Sequence, residues 1–401
     1  MIQLATQRVM ALVALVATSL ITGLGCSGPK PPDVAPYSEI NPATGYGDLS
    51  NYLESYCQAY GLPAMAAAVV DTNGIVAIGA AGERRIGSGV EVTLDDQWHI
   101  GSTAKSMTAT LVAILVEEDL ISWETTLAKA LPDLERTMHP DWRAVTVEQL
   151  LTHRGGAPSN LIDSYPKLWQ RLVSREGSPI EQRRALVEEA TRHSPEVQPG
   201  EQYVYSNAGY AIVGGMVETV TDTSWEELMR TRLFEPLGMT SAGFGAPGDT
   251  ASLDQPRGHD KRGRPIEPGP QADNPPGIGP AGTVHLTIED WAKYAQFHLH
   301  GAAGKVDLLD QEAFETLHKP YGNANPPYAM GWEVTDEAGP DVRVLTHTGS
   351  NTIWYSMIWM PLERGFGSSS SRIRAVIEPV RLWIRRSGIW LSITINADVA
   401  A

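Results

Sequence analysis

Asn73-Gly74 stands between two short apolar runs, residues 64–70 and 75–78. Two such runs joined by Asn-Gly are the strongest short hairpin signal, because both turn residues tolerate positive φ. An antiparallel sheet is therefore expected near the front of the chain. Residues 342–345 and 352–360 read as strands again. Between these ends the periodicity is helical. Residues 103–116 carry Met107, Leu111, Ile114 and Leu115 on one helical face. Residues 146–151 open a short helix with Thr146 as N-cap. Helices are also expected over 180–192, 208–220, 224–235 and 287–300. Residues 245–282, dense in Gly and Pro, read as a long ordered loop. Strands at both ends with helices between predict an α+β fold, an antiparallel sheet flanked by helices with a helical insertion over roughly 110–285.

Composition narrows the function. Apolar residues are 42% and charged residues 19%, ordinary for a globular protein, which excludes disorder and coiled coil. A net charge of −16 and a pI near 5.1 argue against nucleic acid, which needs clustered Lys and Arg. Two cysteines, Cys26 and Cys57, exclude a disulfide framework and a Cys-based zinc site. His153, His259, His298 and His300 form no metal-ligand pattern, so neither metal nor cofactor is expected. His153, after Leu150-Leu151, reads as structural.

Residues 1–26 read as an export signal. Arg8 precedes an uncharged, largely apolar run over 9–24. Gly25-Cys26 resembles a bacterial lipoprotein cleavage site, with Cys26 as the lipidated residue. Plain secretion and an uncleaved anchor are the other readings. Residues 27–46 form a tether, and Cys57 is then a small buried hydrophobe. The expected setting is the periplasm or cell envelope, held to a membrane by the N-terminal lipid or signal.

Three short motifs gain meaning from position. Ser-x-x-Lys occurs at Ser27/Lys30, Ser102/Lys105 and Ser164/Lys167. Only Ser102 opens a long apolar helix. Residues three apart share a helix face there, so Lys105 can reach the Ser102 hydroxyl. The helix N-terminus favours a nascent alkoxide, and a buried lysine of lowered pKa can take the serine proton. Taken alone, the pair reads rather as a solvated helix start. Tyr205-Ser-Asn207 lies at a loop-to-helix junction, where a tyrosine hydroxyl could relay a proton and an amide could hold a carbonyl; alone it reads as a core tyrosine and a helix cap. His347-Thr348-Gly349 is one of three His-x-Gly matches and is placed at the start of the strand over 352–360. Gly349 would let backbone approach a ligand, and the Ser350 N–H could face an oxyanion.

In this order the motifs resemble the serine β-lactamase and penicillin-binding-protein superfamily, in its class C-like and DD-carboxypeptidase branch. Similar flanking segments are His99-Ile-Gly-Ser-Thr-Ala-Lys105, Leu150-Leu-Thr-His153, Pro199-Gly-Glu-Gln-Tyr-Val-Tyr-Ser-Asn207, Pro280-Ala-Gly282 and Tyr328-Ala-Met-Gly-Trp332. The resemblance covers residues 47–366. It implies a β-lactamase/transpeptidase-like fold and a serine hydrolase that forms an acyl-enzyme on Ser102. Lys105 and Tyr205 would be the acid/base pair, and Asn207 would orient the substrate amide or the lysine. The backbone N–H groups of Ser102 and Ser350 would form the oxyanion hole. His347, with Thr348 and Gly349 beside it, replaces a lysine that attracts the substrate carboxylate. That change ranks D-amino acid peptides and small esters above β-lactams. A catalytically inactive relative that binds cell-wall peptide is the alternative.

Residues 367–401 depart from the family's last strand and helix. Four serines at 368–371 lead into a tail with five arginines against Glu378 and Asp398. A basic tail could bind anionic lipid or an acidic partner. A shifted reading frame is the preferred hypothesis, since TCG serine codons read as GTC valine codons one base away. Resequencing the locus tests it, and an unbroken read in the present frame would refute it. If the tail is translated as written, the central sheet is expected to lose a strand and its covering helix.

Overall fold

The computed structural model describes residues 41–362 except 42, 306–307, 324 and 337–342, and the backbone of strands over 372–377, 380–385 and 389–395. Cys26, the export signal and most of the tether lie outside the described residues.

The strands used below are β1 (Gly47–Asp48), β2 (Ala64–Asp71), β3 (Gly74–Gly82), β4 (Gln97–His99), β5 (Gly243–Phe244), β6 (Val284–Thr287), β7 (Tyr328–Ala329), β8 (Trp332–Thr335), β9 (Val344–Ser350), β10 (Trp354–Pro361), β11 (Arg372–Ile377), β12 (Val380–Arg385) and β13 (Ile389–Ile395). The helices used below are α1 (Ser50–Tyr60), α2 (Ala104–Glu117), α3 (Val147–Leu151), α4 (Pro166–Val173), α5 (Pro179–Arg192), α6 (Asn207–Thr221) and α7 (Ile288–Ala302).

The hairpin forms where expected. Asp71 Oδ1 accepts the N–H groups of Asn73 and Gly74 at 2.6 and 3.1 Å, closing the turn between β2 and β3. These strands join an eight-stranded sheet in the order β1-β3-β2-β13-β10-β9-β8-β7. All its pairs are antiparallel except the short β1–β3 contact. Strand β2 separates two apolar layers. Ala64, Ala66 and Ala68 face α7, while Met65, Ala67 and Val69 face α1. Alternation puts successive side chains on opposite faces, and alanines let both helical layers come close.

Helix α1 was not among the expected elements, although Leu49, Leu53, Tyr56 and Cys57 recur at helical spacing and are buried. Cys57 is buried as expected, and burial pushes its thiol up to about 12. The segment expected as one helix over 224–235 is an α-turn, Trp225–Leu228, continuing as a π-helix, Met229–Phe234. Ser164 ends a short helical turn, Leu161–Ser164, and Lys167 belongs to α4, whose first position is Pro166, where its missing N–H costs nothing.

Two expectations at the end of the sheet need correction. The His347-Thr348-Gly349 motif ends β9 instead of starting the next strand, and β10 begins at Trp354. The sheet also keeps its full width. The backbone of β13 pairs with β2 from Ile389↔Val70 to Ile395↔Ala64, and with β10 on its other side. The tail thus fills the position that the sequence reading leaves empty.

Helix α2 is the centre of the molecule. Every residue from Ala104 to Leu115 is buried, because the turn Gly279–Gly282, the segment Met229–Phe234, the helix Gln311–Leu317 and α6 pack around it, and Tyr294 of α7 reaches Thr110. A helix apolar on all sides belongs in a core. Its N-terminus is hung from a small sheet of order β4-β6-β5, with the Ile100 N–H donating to Val284 O.

Candidate active site

Ser102 lies in a 3-10 turn, Gly101–Thr103, that leads straight into α2. The turn requires Gly101, whose φ is +51°. A Cβ on Gly101 would lie 2.5 Å from the Ser350 N, and a Cβ on Gly349 would lie 2.0 Å from Ile100 O and 2.9 Å from the Ser102 N. Glycine at 349 was expected to admit a ligand; it instead lets β9 close against the nucleophile's own backbone. This contact puts the Ser102 and Ser350 backbone nitrogens beside one another.

Lys105, the second residue of α2, is fully buried. Its Nζ lies 3.0 Å from Ser102 Oγ, 2.7 Å from Asn207 Oδ1 and 2.8 Å from the Ala281 carbonyl oxygen. Burial holds its pKa well below the usual lysine value. The two oxygens of Asn207 and Ala281 can only accept, so they take two N–H groups. The third direction points at Ser102. In the neutral amine that direction is the lone pair, which is the geometry of a base for the serine proton.

Tyr205 reaches the same hydroxyl. It hydrogen-bonds Ser102, and burial pushes its phenol above the ordinary tyrosine value. The Lys105 Nζ sits 4.8 Å from the centre of its ring. Tyr205 therefore carries its proton near neutrality, and the lysine, whose charged form burial disfavours, is the group suited to take the Ser102 proton. Asn207 is the first residue of α6, but the cap is Ser206, whose Oγ accepts the Gly209 N–H. This leaves the Asn207 amide for Lys105.

His347 does not offer a charge. Its ring is buried, Nδ1 donates to Thr348 O at 2.5 Å, and Nε2 is 3.1 Å from the Tyr328 hydroxyl, which donates to it. Burial, with the Lys105 charge nearby, brings its pKa down to about 3. Thr348 is directly opposite Met357, whose side chain belongs to the apolar layer under α1. Cross-strand partners share a face, so Thr348 points away from Ser102. Ser350 remains at the exposed end of β9.

Three contributors escaped sequence reasoning. The Ala281 carbonyl is backbone and has no residue-type signal. Tyr328 looks like an ordinary strand aromatic. His153 acts on Tyr205: its carbonyl accepts the Val204 N–H at 2.8 Å and its Nδ1 accepts the Ser206 N–H at 3.1 Å. Its ring is 4.3 Å from that of Tyr205. The structural reading of His153 thus gains a specific content, since it clamps the chain on both sides of the tyrosine. Among the described residues no cluster of His, Cys, Asp and Glu could hold a metal.

Comparison with known proteins adds to this geometry. The family described as Beta-lactamase matches residues 49–370. Penicillin-binding protein 4 of Amycolatopsis lactamdurans is 32% identical over 222 residues, covering 55% of this chain and 55% of that protein. Protein flp of Staphylococcus aureus (strain COL) is 22% identical over 283 residues, covering 69% of this chain and 53% of that protein. The chain therefore spans about half the length of these curated relatives. Among solved structures, the octameric penicillin-binding protein homologue from Pyrococcus abyssi aligns with a TM-score of 0.66 at 22% identity, covering 86% of this chain and 73% of that one. D-alanine carboxypeptidase AmpC from Burkholderia cenocepacia aligns at 0.63 and 21%, covering 86% and 91%. The D-stereospecific amidohydrolase from Streptomyces sp. aligns at 0.62 and 23%, covering 86% and 92%. These structures share its fold, and the chain belongs to the beta-lactamase family, within the superfamily of serine β-lactamases and penicillin-binding proteins.

Proposed function

We propose that the protein is an exported serine hydrolase that forms an acyl-enzyme on Ser102 and cleaves an amide or ester. The observation that carries this reading is Lys105, buried and tied to two oxygens, with its remaining direction on Ser102 Oγ. Ser102 Oγ would attack the substrate carbonyl carbon as its proton passes to Lys105 Nζ. The carbonyl oxygen becomes an oxyanion facing the Ser102 and Ser350 N–H groups. As the bond to the leaving group breaks, the leaving amine or alkoxide takes a proton by way of Tyr205. Water then attacks the ester on Ser102, gives up its proton through the same pair, and releases the acid.

The substrate ranking rests on His347. A neutral, buried imidazole at this place supplies no cation for a substrate carboxylate. Small esters and D-amino acid amides that lack a free carboxylate are therefore preferred to β-lactams, in keeping with a relative named as a D-stereospecific amidohydrolase. The test is a time course with a fluorescent penicillin and with p-nitrophenyl acetate, on the wild type and on Ser102→Ala. Ester turnover with little penicillin label is expected, and Ser102→Ala should lose both. Label that persists would move the protein to the penicillin-binding type, and label that decays with turnover to a β-lactamase. Turnover that survives in Ser102→Ala would overturn the nucleophile.

Export is proposed on residues 1–26, with Cys26 as the lipid-bearing residue. Radiolabelled palmitate should enter the protein in a bacterial host, and Cys26→Ala should abolish the incorporation. Equal labelling of both proteins would refute lipidation at this site.

A further inference from the structure

Three consecutive residues of the long Gly- and Pro-rich loop each grip a different wall of the active site. The Ala272 carbonyl accepts the Asn351 side-chain amide at 3.2 Å, next to Ser350. Asp273 Oδ1 is 2.7 Å from His99 Nε2. The Asn274 side-chain amide donates to Gly282 O at 2.7 Å, one residue from the Ala281 carbonyl that holds Lys105. The central grip is the most buried, with the side chains of His99 and Asp273 exposed by 0% and 1%.

His99 has two fixed partners. The Gly101 N–H donates to its Nδ1 at 3.1 Å. Nδ1 must then be bare, and the Nε2 proton is donated to Asp273. In the opposite tautomer, two N–H groups would face each other at Gly101 and the Asp273 carboxylate would face a lone pair. Asp273 therefore fixes the tautomer that Gly101 needs. Gly101 in turn holds a left-handed φ, and its conformation aims the Ser102 N–H and hydroxyl. Arg175, between α4 and α5, places its Nη2 3.7 Å from Asp273 Oδ2, so the helical insertion touches the same carboxylate.

We infer that Asp273 and His99 form a positioning dyad that sets the Gly101-Ser102 turn for acylation, a role that rests on the serine-hydrolase reading. Neither residue touches the reacting atoms. The dyad acts through one backbone N–H, and the loop over 272–274 ties that turn to the walls bearing Ser350 and Lys105.

The test uses the full chain, p-nitrophenyl acetate as acyl donor, and the pre-steady-state burst as the rate of acylation. Asp273→Ala should slow the burst by about 100-fold, the order expected when an oxyanion donor is misplaced. Asp273→Asn keeps an oxygen for the Nε2 proton and should restore the rate to within about tenfold of wild type. His99→Asn offers Gly101 an acceptor that needs no aspartate. In that background, Asp273→Ala should cost nothing further, whereas a general structural role would make the two losses multiply. The 15N spectrum of His99 should show the Nε2–H tautomer in the wild type and lose it in Asp273→Ala. A burst of wild-type rate in Asp273→Ala, multiplying losses in the double variant, or an Nδ1–H tautomer in the wild type would each overturn the dyad. If Asp273→Ala does not fold, Asp273→Asn and the tautomer spectrum decide. A wild type that is never acylated would refute the hydrolase reading, and the 15N spectrum would still report whether the dyad exists.

Discussion

Lys105→Met should slow acylation of Ser102 by about 10²- to 10⁴-fold while leaving the fold intact. The side chain sits in the core of α2, where a cation has no water around it. Methionine matches its length and removes the amine. The opposing cost is the loss of donors for Asn207 Oδ1 and the Ala281 carbonyl, about 1–3 kcal/mol for each buried group left unpaired. The melting temperature should therefore fall by several degrees, against a near-total loss of the ester burst. A Lys105→Met protein that acylates within tenfold of wild type would remove the lysine from the role of base. A pH profile adds a second reading. The base must be unprotonated, so acylation should fall as pH drops through the lowered pKa of Lys105 and hold up to the raised pKa of Tyr205.

Acidification should unfold the protein well before its carboxylates are neutralised. His153, His298, His318 and His347 are all buried, and burial is the main cause that lowers each of them, His318 and His347 to about 3. In the unfolded chain they titrate near 6.5. Below that pH the unfolded chain binds protons that the folded one refuses, so stability is lost as pH falls from about 6.5 towards 3. At pH 5 His318 and His347 each cost about 2 kcal/mol. His153 and His298 are shifted in the same direction, so the loss is sizeable against a typical folding margin of about 5–15 kcal/mol. Asp96 and Glu333, whose carboxyls burial raises, pull the other way and recover part of the loss. Urea melts at pH 7, 6 and 5 should show the midpoint dropping steeply over this range. A midpoint that stays constant from pH 7 to 5 would mean that these rings are hydrated in solution. His298 and His318 share a 2.9 Å contact between ring nitrogens and stand apart from the reacting groups, so replacing both with apolar residues should flatten the slope.

Sequence and structure agree best where the determinant is local. Ser102 could be picked from three Ser-x-x-Lys pairs because an apolar helix follows it, and Tyr205 because it precedes one. The hairpin at Asn73-Gly74 was readable for the same reason. The failures involve partners far apart in the chain. Asp273 is one acidic residue in a loop, 174 positions from His99, and nothing near it marks the pair. His347 could be assigned to the site, but its uncharged state depends on what buries it. Thr348 was carried along with its motif, and only the register with Met357 shows which way it faces. Gly349 was expected to serve a ligand because the sequence does not show that Ile100 lies against it.

The place of β13 bears on how the protein is made. Its two neighbours, β2 and β10, have no pairing with each other, and both hydrogen-bond to residues 389–395. A ribosome delivers Ala64 long before Ile389, so the front hairpin must wait through most of synthesis with its inner edge bare. Pairing over such sequence separation is slow, and open inner edges invite association with other chains. The nucleophile turn, the lysine and the tyrosine are all complete in the nascent chain before the sheet behind them can close. Active-site assembly and sheet closure are thus separate events in time, and a product stopped before residue 389 would carry every reacting group on an unfinished scaffold.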